Sequence, residues 1–425
     1  MAGIRRRIRS IALLEQLGPG LVTGAADDDP SGIATYSQAG AQFGFGLLWT
    51  LVLTYPLMTA IQLVSARIGR VTGSGLASNL RAVMPGWAVT MLVALLFVAN
   101  TINIGADLAA MGEAAELVVG RDGHYFTIAF ALVSLGLQLF IPYKRYADIL
   151  KWLTLALLAY VAVLFTVKLD WAEAARGFWP SAGNSSRQAI LTIVAVFGTT
   201  ISPYLFFWQS AQEVEEVADD PKAEPLKEAP RQARRELSRI RIDTFAGMAA
   251  SNLIAIAIIL STAATLHAAG KTDIQSAADA ASALKPVAGP FAFALFSLGI
   301  IGAGLLAAPV LAGSAAYAIG ESRGWTCGLD YKPWEAVGFY VVIAVATLLG
   351  VAIGWSPIDP MKALFWSAVI NGVAATPMMA AMMLVASRRS QMGPFPAGLR
   401  LRVFGWLATA VMAGSVVAMA LSFAV

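Results

Sequence analysis

Apolar runs long enough to cross a bilayer recur along the whole chain, separated by short polar stretches. A hydrocarbon core of about 30 Å needs about 20 residues of helix. The pattern supplies eleven such segments, at 16–43, 45–68, 87–118, 124–142, 147–168, 189–216, 239–269, 287–320, 333–354, 359–386 and 400–424. The longest of them imply tilt or extension beyond the lipid. One polar interruption stands out, EVEEVADDPKAEPLKEAPRQARRELSRIRID at 213–243. It reads as a solvated loop with helix ends on either side. The expectation is an all-α polytopic membrane protein whose residues 1–425 form one transmembrane domain.

Two spans carry a break in the same place. In GAADDDPSGIATY (24–36) three aspartates and a proline interrupt the first span. Asp is a favoured N-cap and Pro a favoured first helical residue. The pair Asp29-Pro30 therefore predicts one helix ending near Ala26 and another starting at Pro30. In AVFGTTISPYLFFWQSAQE (195–213), Ser202 and Pro203 repeat the device in the sixth span, with Ser202 as the expected cap. Breaks five spans apart suggest two five-helix repeats of inverted orientation, 1–168 and 187–386, and one additional helix, 399–425. Such transporters hold substrate at the midplane between discontinuous helices. Carbonyls orphaned near Ala25, Ala26, Thr199 and Thr200, at negative helix ends, favour a cation. Each Asp placed in lipid costs about 2.5–3.5 kcal/mol on an insertion scale. The three must therefore face a cavity, a partner or an ion, and Asp29 at the break is the leading candidate. Asp27 and Asp28 are candidates for vestibule residues.

Composition sharpens this picture. Of 425 residues 58% are hydrophobic and 13% charged, too few charges for a soluble surface of this size. The two histidines, His124 and His267, and the single Cys327 exclude an internal disulfide and a zinc site of several Cys and His ligands, so any metal is held mainly by oxygen. With the N-terminus inside, the inner loops and their flanks hold 23 of the 30 Lys and Arg, a strong positive-inside bias. The basic residues thus report topology rather than a nucleic-acid surface. Arg5, Arg6, Arg7 and Arg9 are expected to keep the N-terminus cytoplasmic, with no cleaved signal peptide. The expected location is the cell (inner) membrane.

Polar residues inside other spans complete the candidates. In NTINIGADLAA, Asn100, Asn103 and Asp107 share one helical face. That stripe is either a hydrogen-bonding seam or an ion or proton route. Glu113 and Glu116 lie nearer the outer end. Asn371, beside Gly372, could lend an amide oxygen to a cation or bond a neighbouring helix, and Gln209 has the same two readings. The small-residue run 299–320 reads as close helix packing.

These residues resemble the NRAMP divalent-metal transporters, whose first helix has an Asp-Pro-Gly-Asn signature and whose sixth has Met-Pro-His. The likeness runs through GPGLVTGAADDDPSG, the ADLA of the third span, the Ser-Pro break and the eleven-span layout. It implies a LeuT-like fold, alternating access, and transition-metal import, usually with proton co-transport. Asp29 matches the metal-binding Asp. The family Asn is Gly32 here, its Met is Ser202, its His two positions on is Tyr204, and a further His falls at Gln209. In the third span the Asp matches Asp107, but the Glu three residues on is Ala110. The pattern resembles the NRAMP-related magnesium transporter branch. Without thioether or imidazole, carboxylate, carbonyl, hydroxyl and water suit Mg²⁺, with Mn²⁺ close behind. Gly32 and Ser202 are expected to enlarge the cavity around a retained hydration shell.

The sequence thus predicts transport of a hydrated divalent cation, Mg²⁺ before Mn²⁺, without tight proton coupling. The expected metal set is Asp29, Ala26, Thr199, Ser202 and Asn371, with Gly32 and Asp28 beside it. Asp107, Asn103, Asn100 and Gln209 form a candidate ion or proton route. The cation is substrate, and no cofactor, obligatory protein partner or nucleic acid is implied beyond the lipid bilayer. Rivals are a proton-coupled Mn²⁺/Fe²⁺ importer, a sodium-coupled carrier of an organic solute, and a membrane metal sensor that does not transport. An enzyme is not expected, since no hydrolase constellation appears.

Overall fold

The computed structural model describes residues 19–141, 155–180 and 186–424, and every regular element among them is helical. The first span is two helices, α1 (Pro19–Asp27) and α2 (Pro30–Phe43). Then come α3 (Leu48–Thr72), α4 (Gly86–Val119), α5 (Gly123–Phe140) and α6 (Leu158–Val163). The sixth span is again two helices, α7 (Arg187–Thr200) and α8 (Pro203–Asp219). The later long helices are α9 (Ala233–Thr262), α10 (Ala292–Arg323), α11 (Val337–Gly354), α12 (Pro360–Ser387) and α13 (Leu399–Ala424), and short helical turns join some of the spans. Nine stretches among the described residues are long and apolar enough to cross a membrane. The broken pair α1–α2 is a further span, its halves only 9 and 14 residues long. The span expected at 147–168 begins in 142–154, outside the described residues, as do Arg5, Arg6, Arg7 and Arg9.

Both breaks fall where the cap-plus-proline pairs place them. Asp29 is extended (φ −72°, ψ 168°), Pro30 opens α2, and the Asp29 side chain accepts a hydrogen bond from the Gly32 amide. Ser202 is extended as well (φ −74°, ψ 132°), with Pro203 opening α8.

Glycines let the broken helices lie against their neighbours at backbone distance. A Cβ on Gly24 of α1 would sit 2.8 Å from the Gly247 Cα of α9, and one on Gly198 of α7 would sit 2.8 Å from the Gly372 Cα of α12. α9 therefore runs along α1, while α12 backs α7. The long α4 is packed by α5, α10, α11 and α12, so its polar face looks into the bundle. The small-residue run of α10 is buried over most of its length, as close packing requires. Large apolar side chains such as Leu132, Phe140, Leu348 and Leu421 are exposed around the outside, where lipid tails would meet them.

The 213–243 stretch departs from a purely solvated loop. The amides of Leu226 and Lys227 donate to the carbonyls of Arg70 and Val71 at 3.1 Å, and Leu226 is fully buried. Arg239 bonds Glu213 at 2.7 Å and Glu216 at 2.8 Å, and Arg70 bonds Glu236 at 3.2 Å. The charges are internal to the joint between α3, α8 and α9. That pairing, invisible in a one-dimensional charge pattern, is what holds the segment down.

The close approach at Gly198 yields a stability prediction. Gly198→Ala overpacks the α7–α12 contact and is expected to cost about 1–3 kcal/mol, seen as a lower thermal midpoint in detergent. An unchanged midpoint would mean the two helices are not in backbone contact.

Candidate metal site at the two helix breaks

Asp29 lies at the meeting point of four helices, 1% exposed. Its Oδ1 accepts from the Ser31 hydroxyl at 2.7 Å and from the Gly32 amide at 2.8 Å. Its Oδ2 accepts from the Asn103 amide of α4 at 3.0 Å and from the Tyr204 hydroxyl of α8 at 3.3 Å. An ionised carboxylate offers about four lone-pair positions, so every one is engaged. The Tyr204 hydroxyl is also 3.1 Å from the Ala26 carbonyl, the orphan acceptor at the end of α1. One phenolic proton thus bridges the two oxygens that sequence reasoning assigns to a cation. Tyr204 is the central residue which that reasoning leaves out of the site. The signal available was its place two residues after Ser202, where the resemblance put a family His.

The second break is closed differently from expectation. Ser202 makes no capping bond to α8. Its hydroxyl turns back and lies 2.9 Å from the Gly198 carbonyl and 2.8 Å from the Thr199 carbonyl. The hydroxyl serves the other helix end instead: α7 closes on carbonyls lacking intrahelical partners, and Ser202 donates to them. The Thr199 carbonyl is therefore not a free ligand here. The Thr199 side-chain hydroxyl is 3.4 Å from that of Ser31, joining the two breaks, and Tyr36 bonds Thr200 at 3.2 Å.

Gly32 does not open the cavity that its small size suggests. A Cβ there would lie 3.2 Å from the Thr199 hydroxyl and 3.3 Å from the Tyr36 ring, so neighbours already fill the space. Asp27 and Asp28 do not line a vestibule. Both are buried against α9, where the single Ser251 hydroxyl is 2.8 Å from Asp27 and 3.0 Å from Asp28. Ser251 carried no signal in the sequence beyond a polar residue in an apolar helix. Asn371, on α12, is fully buried, and neither its amide oxygen nor its nitrogen has a hydrogen-bond partner among the described residues. It adjoins Gly372 at the α7 contact, within the same region of the bundle.

The polar face of α4 divides in two. Asn103 bonds Asp29, accepts from Ser367 of α12 at 2.6 Å, and lies 3.5 Å from Asp107. Asn100 instead donates to the Leu311 carbonyl and the Ser314 hydroxyl of α10, both at 2.8 Å, which is the packing seam. Gln209 accepts from Thr23 at 2.5 Å, tying α8 to α1, and its amide nitrogen has no partner among the described residues. Glu113 and Glu116 accept from the amides of Ala277 and Gly123, both at 2.9 Å, near the far end of α4. Among the described residues no three His, Cys, Asp or Glu side chains converge as a metal cluster. The donors at the breaks are one carboxylate with carbonyls, hydroxyls and amides. One turn beyond Pro30, at Ala34, begins a cavity of about 400 Å³ bordered by Gln38, Gln42, Gln188, Thr192 and Asp273.

The profile described as Nramp, natural resistance-associated macrophage protein-like, matches residues 20–422. The chain belongs to the Nramp family. The divalent metal cation transporter MntH of Deinococcus radiodurans is 25% identical over 429 residues, covering 96% of this chain and 89% of that protein. A crystal structure of the Eremococcus coleocola manganese transporter superposes with a TM-score of 0.75 at 16% identity, covering 96% of this chain and 87% of that one. MhsT, solved in complex with L-phenylalanine, superposes with a TM-score of 0.62 at 14% identity. These likenesses establish the LeuT-type fold, with its two five-helix halves and an added helix. The chain is thus a multi-pass membrane protein of the Nramp family.

The reversed Ser202 bond separates two roles. Asp is among the best N-caps, so an N-capping Ser202 would tolerate Ser202→Asp. Because Ser202 donates to two buried carbonyls, Ser202→Asp is expected to destabilise by about 1–3 kcal/mol, while Ser202→Thr keeps the donor and most of the stability. Thermal unfolding of both variants checks this, and an Asp variant as stable as the parent would restore the capping role.

Proposed function

We propose that this Nramp-family chain imports divalent cations by alternating access, Mg²⁺ first and Mn²⁺ second, with Asp29 as the central anion. One observation carries this reading: a buried carboxylate stands at the meeting of two broken helices, surrounded only by oxygen and amide donors. The unpartnered Asn371 amide supplies further oxygen, as do the Ala26 carbonyl once Tyr204 withdraws and the Thr199 carbonyl and Ser202 hydroxyl once their mutual bond opens, some of it through water. Gly32 and Asp28 line the site without donating side-chain ligands to the ion. Mg²⁺ dehydrates reluctantly and is commonly held by one or two carboxylates with several waters retained. Water fits oxygen surroundings, and no thioether or imidazole is present to favour a softer ion.

The cation meets Asp29 by exchange. All the carboxylate's acceptor positions are engaged, so an incoming ion displaces a donor. Tyr204 is the donor whose departure releases most, because one ring movement frees both Oδ2 of Asp29 and the Ala26 carbonyl. The cavity at Ala34 supplies the approach. With the N-terminus cytoplasmic, as the distribution of Lys and Arg supports, that cavity faces outside and the Arg239 ion-pair joint faces inside. The location proposed is the cell inner membrane.

Proton coupling is proposed to be weak. Asp107 is reached from Asp29 through Asn103, but the next position of a carboxylate route is Ala110, and Gln209 stands where a histidine would relay. Uptake is then driven by the membrane potential, about 2.3 kcal/mol per charge per 100 mV. The manganese named for a structural relative favours a second reading, import of Mn²⁺ or Fe²⁺ with the proton coupling that the family resemblance implies. Proteoliposomes reporting metal entry and internal pH together distinguish the two. Expected are Mg²⁺ entry with little acidification, and entry reduced to background in Asp29→Asn, which keeps the helix cap but removes the charge. Acidification that tracks metal entry, or preference for Fe²⁺ over Mg²⁺, selects the second reading, and normal uptake by Asp29→Asn removes Asp29 from the site.

Tyr204 gives a separate test. If its hydroxyl competes with the ion, Tyr204→Phe lowers KM for the cation about tenfold, from the roughly 1.5 kcal/mol of a hydrogen bond to a charged acceptor. A raised KM would make the hydroxyl a ligand instead.

A further inference from the structure

Where α4 begins and α10 ends, a groove of about 700 Å³ opens on the side of the protein. Its upper wall is polar: Arg81, Thr90, Ser322 and Arg323, with the Trp325 indole. Its lower wall is apolar: Val93, Phe97, Val98 and Ile319. Val98 is 52% exposed, and the neighbouring Met91 and Trp87 more so, so this wall faces outward from the bundle.

The two arginines carry uncompensated charge. Arg81 donates to the Ser322 carbonyl at 2.5 Å, which holds its guanidinium beside residue 323. Arg323 lies 5.9 Å from the Trp325 ring. Neither has an ion-pair partner among the described residues. Glu321, two residues before Arg323, is engaged elsewhere and accepts from the Ala77 amide at 3.0 Å. A third feature has the same sign. The 34-residue α4 starts here behind Pro85, with no side-chain cap on its first amides and no acidic residue in its first turn. An uncapped helix start is a favourable place for an anion.

We propose that this groove is a binding site for an anionic phospholipid. The phosphate is held by the Arg81 and Arg323 guanidiniums, whose planar forks suit phosphate oxygens, with Thr90 and the start of α4 contributing. One acyl chain lies along Val93, Phe97 and Val98, and Trp325 and Trp87 sit at headgroup depth, as interfacial indoles do. Basic pockets between helices at the cytoplasmic boundary recognise such headgroups, and both arginines close helices on the basic-rich side. Two arguments favour lipid over a soluble phosphate: the apolar wall continues directly from the basic rim, and it opens to where lipid tails would lie. This site is independent of the metal site and of the ion transported.

The test compares lipids on the purified full chain. Short-chain phosphatidylglycerol, phosphatidylcholine and inorganic phosphate are titrated separately, reading retained lipid by native mass spectrometry and the thermal midpoint. Phosphatidylglycerol is expected to be retained and to raise the midpoint, and phosphatidylcholine and phosphate are not. Each basic residue near an anionic headgroup contributes about a factor of five, so Arg81→Gln with Arg323→Gln weakens retention on the order of tenfold or more. Arg81→Lys with Arg323→Lys keeps most of it. Equal retention of both lipids by the parent overturns the proposal even if the double variant fails to fold. Undiminished retention by a folded double variant, or stabilisation by phosphate alone, overturns it as well.

Discussion

In the middle of a bilayer, a backbone group freed from a helix has no water to turn to, and leaving it unpaired costs several kcal/mol. Both breaks in this chain are organised around that constraint. At the first, the Asp29 carboxylate takes the Gly32 amide while the Tyr204 hydroxyl takes the Ala26 carbonyl. At the second, Ser202 serves the Gly198 and Thr199 carbonyls. The solutions interlock, because Tyr204 belongs to the second break yet closes the first. The site is therefore the seam between two interrupted helices, and neither half is complete alone.

A consequence follows for selectivity. A carboxylate already holding four hydrogen bonds gives an ion no free attraction: what counts is the ion's interaction with oxygen minus the donors it displaces. A divalent charge in a low-dielectric setting outweighs neutral donors readily. A monovalent ion gains half the Coulomb energy against the same displacement. Charge selection can thus come from the protein's own hydrogen bonds, while selection among divalent ions depends on how much water each must surrender. Ser202 and Tyr204 at the second break bring neither sulfur nor imidazole, so softness does not rank the ions there.

Much of the architecture was legible in the sequence because it rests on local signals. Span length, the two proline breaks and the capping role of Asp29 are each set by neighbours within a few residues, and they reappear at Asp29, Pro30 and Pro203. What was not legible depends on partners far apart in the chain. The direction of the Ser202 bond was not legible either: a serine before a proline reads as a cap for the helix that follows, yet its hydroxyl donates back to the Gly198 and Thr199 carbonyls. The filling of the space at Gly32 depends on Thr199 and Tyr36, and the burial of Asp27 and Asp28 depends on Ser251, some 220 positions away. The stripe on α4 was seen as one face, but a helix face can have two neighbours. Asn100 meets α10 while Asn103 meets Asp29.

The same geometry ties occupancy to movement. Asp29 is held by a residue of α4 (Asn103) and a residue of α8 (Tyr204), while α2, the helix it caps, supplies the other two donors. Asn103 in turn is bonded by Ser367 of α12, and Gln209 of α8 holds Thr23 of α1. An ion that takes Oδ2 therefore does more than fill a space: it removes bonds joining α2 to α4 and to α8. A ligand can shift a conformational equilibrium only through contacts that differ between the states. Here the differing contacts are hydrogen bonds between helices, and their acceptor is the carboxylate proposed to bind the ion. Binding and loosening of the helix contacts thus become one event, which is the coupling that alternating access needs.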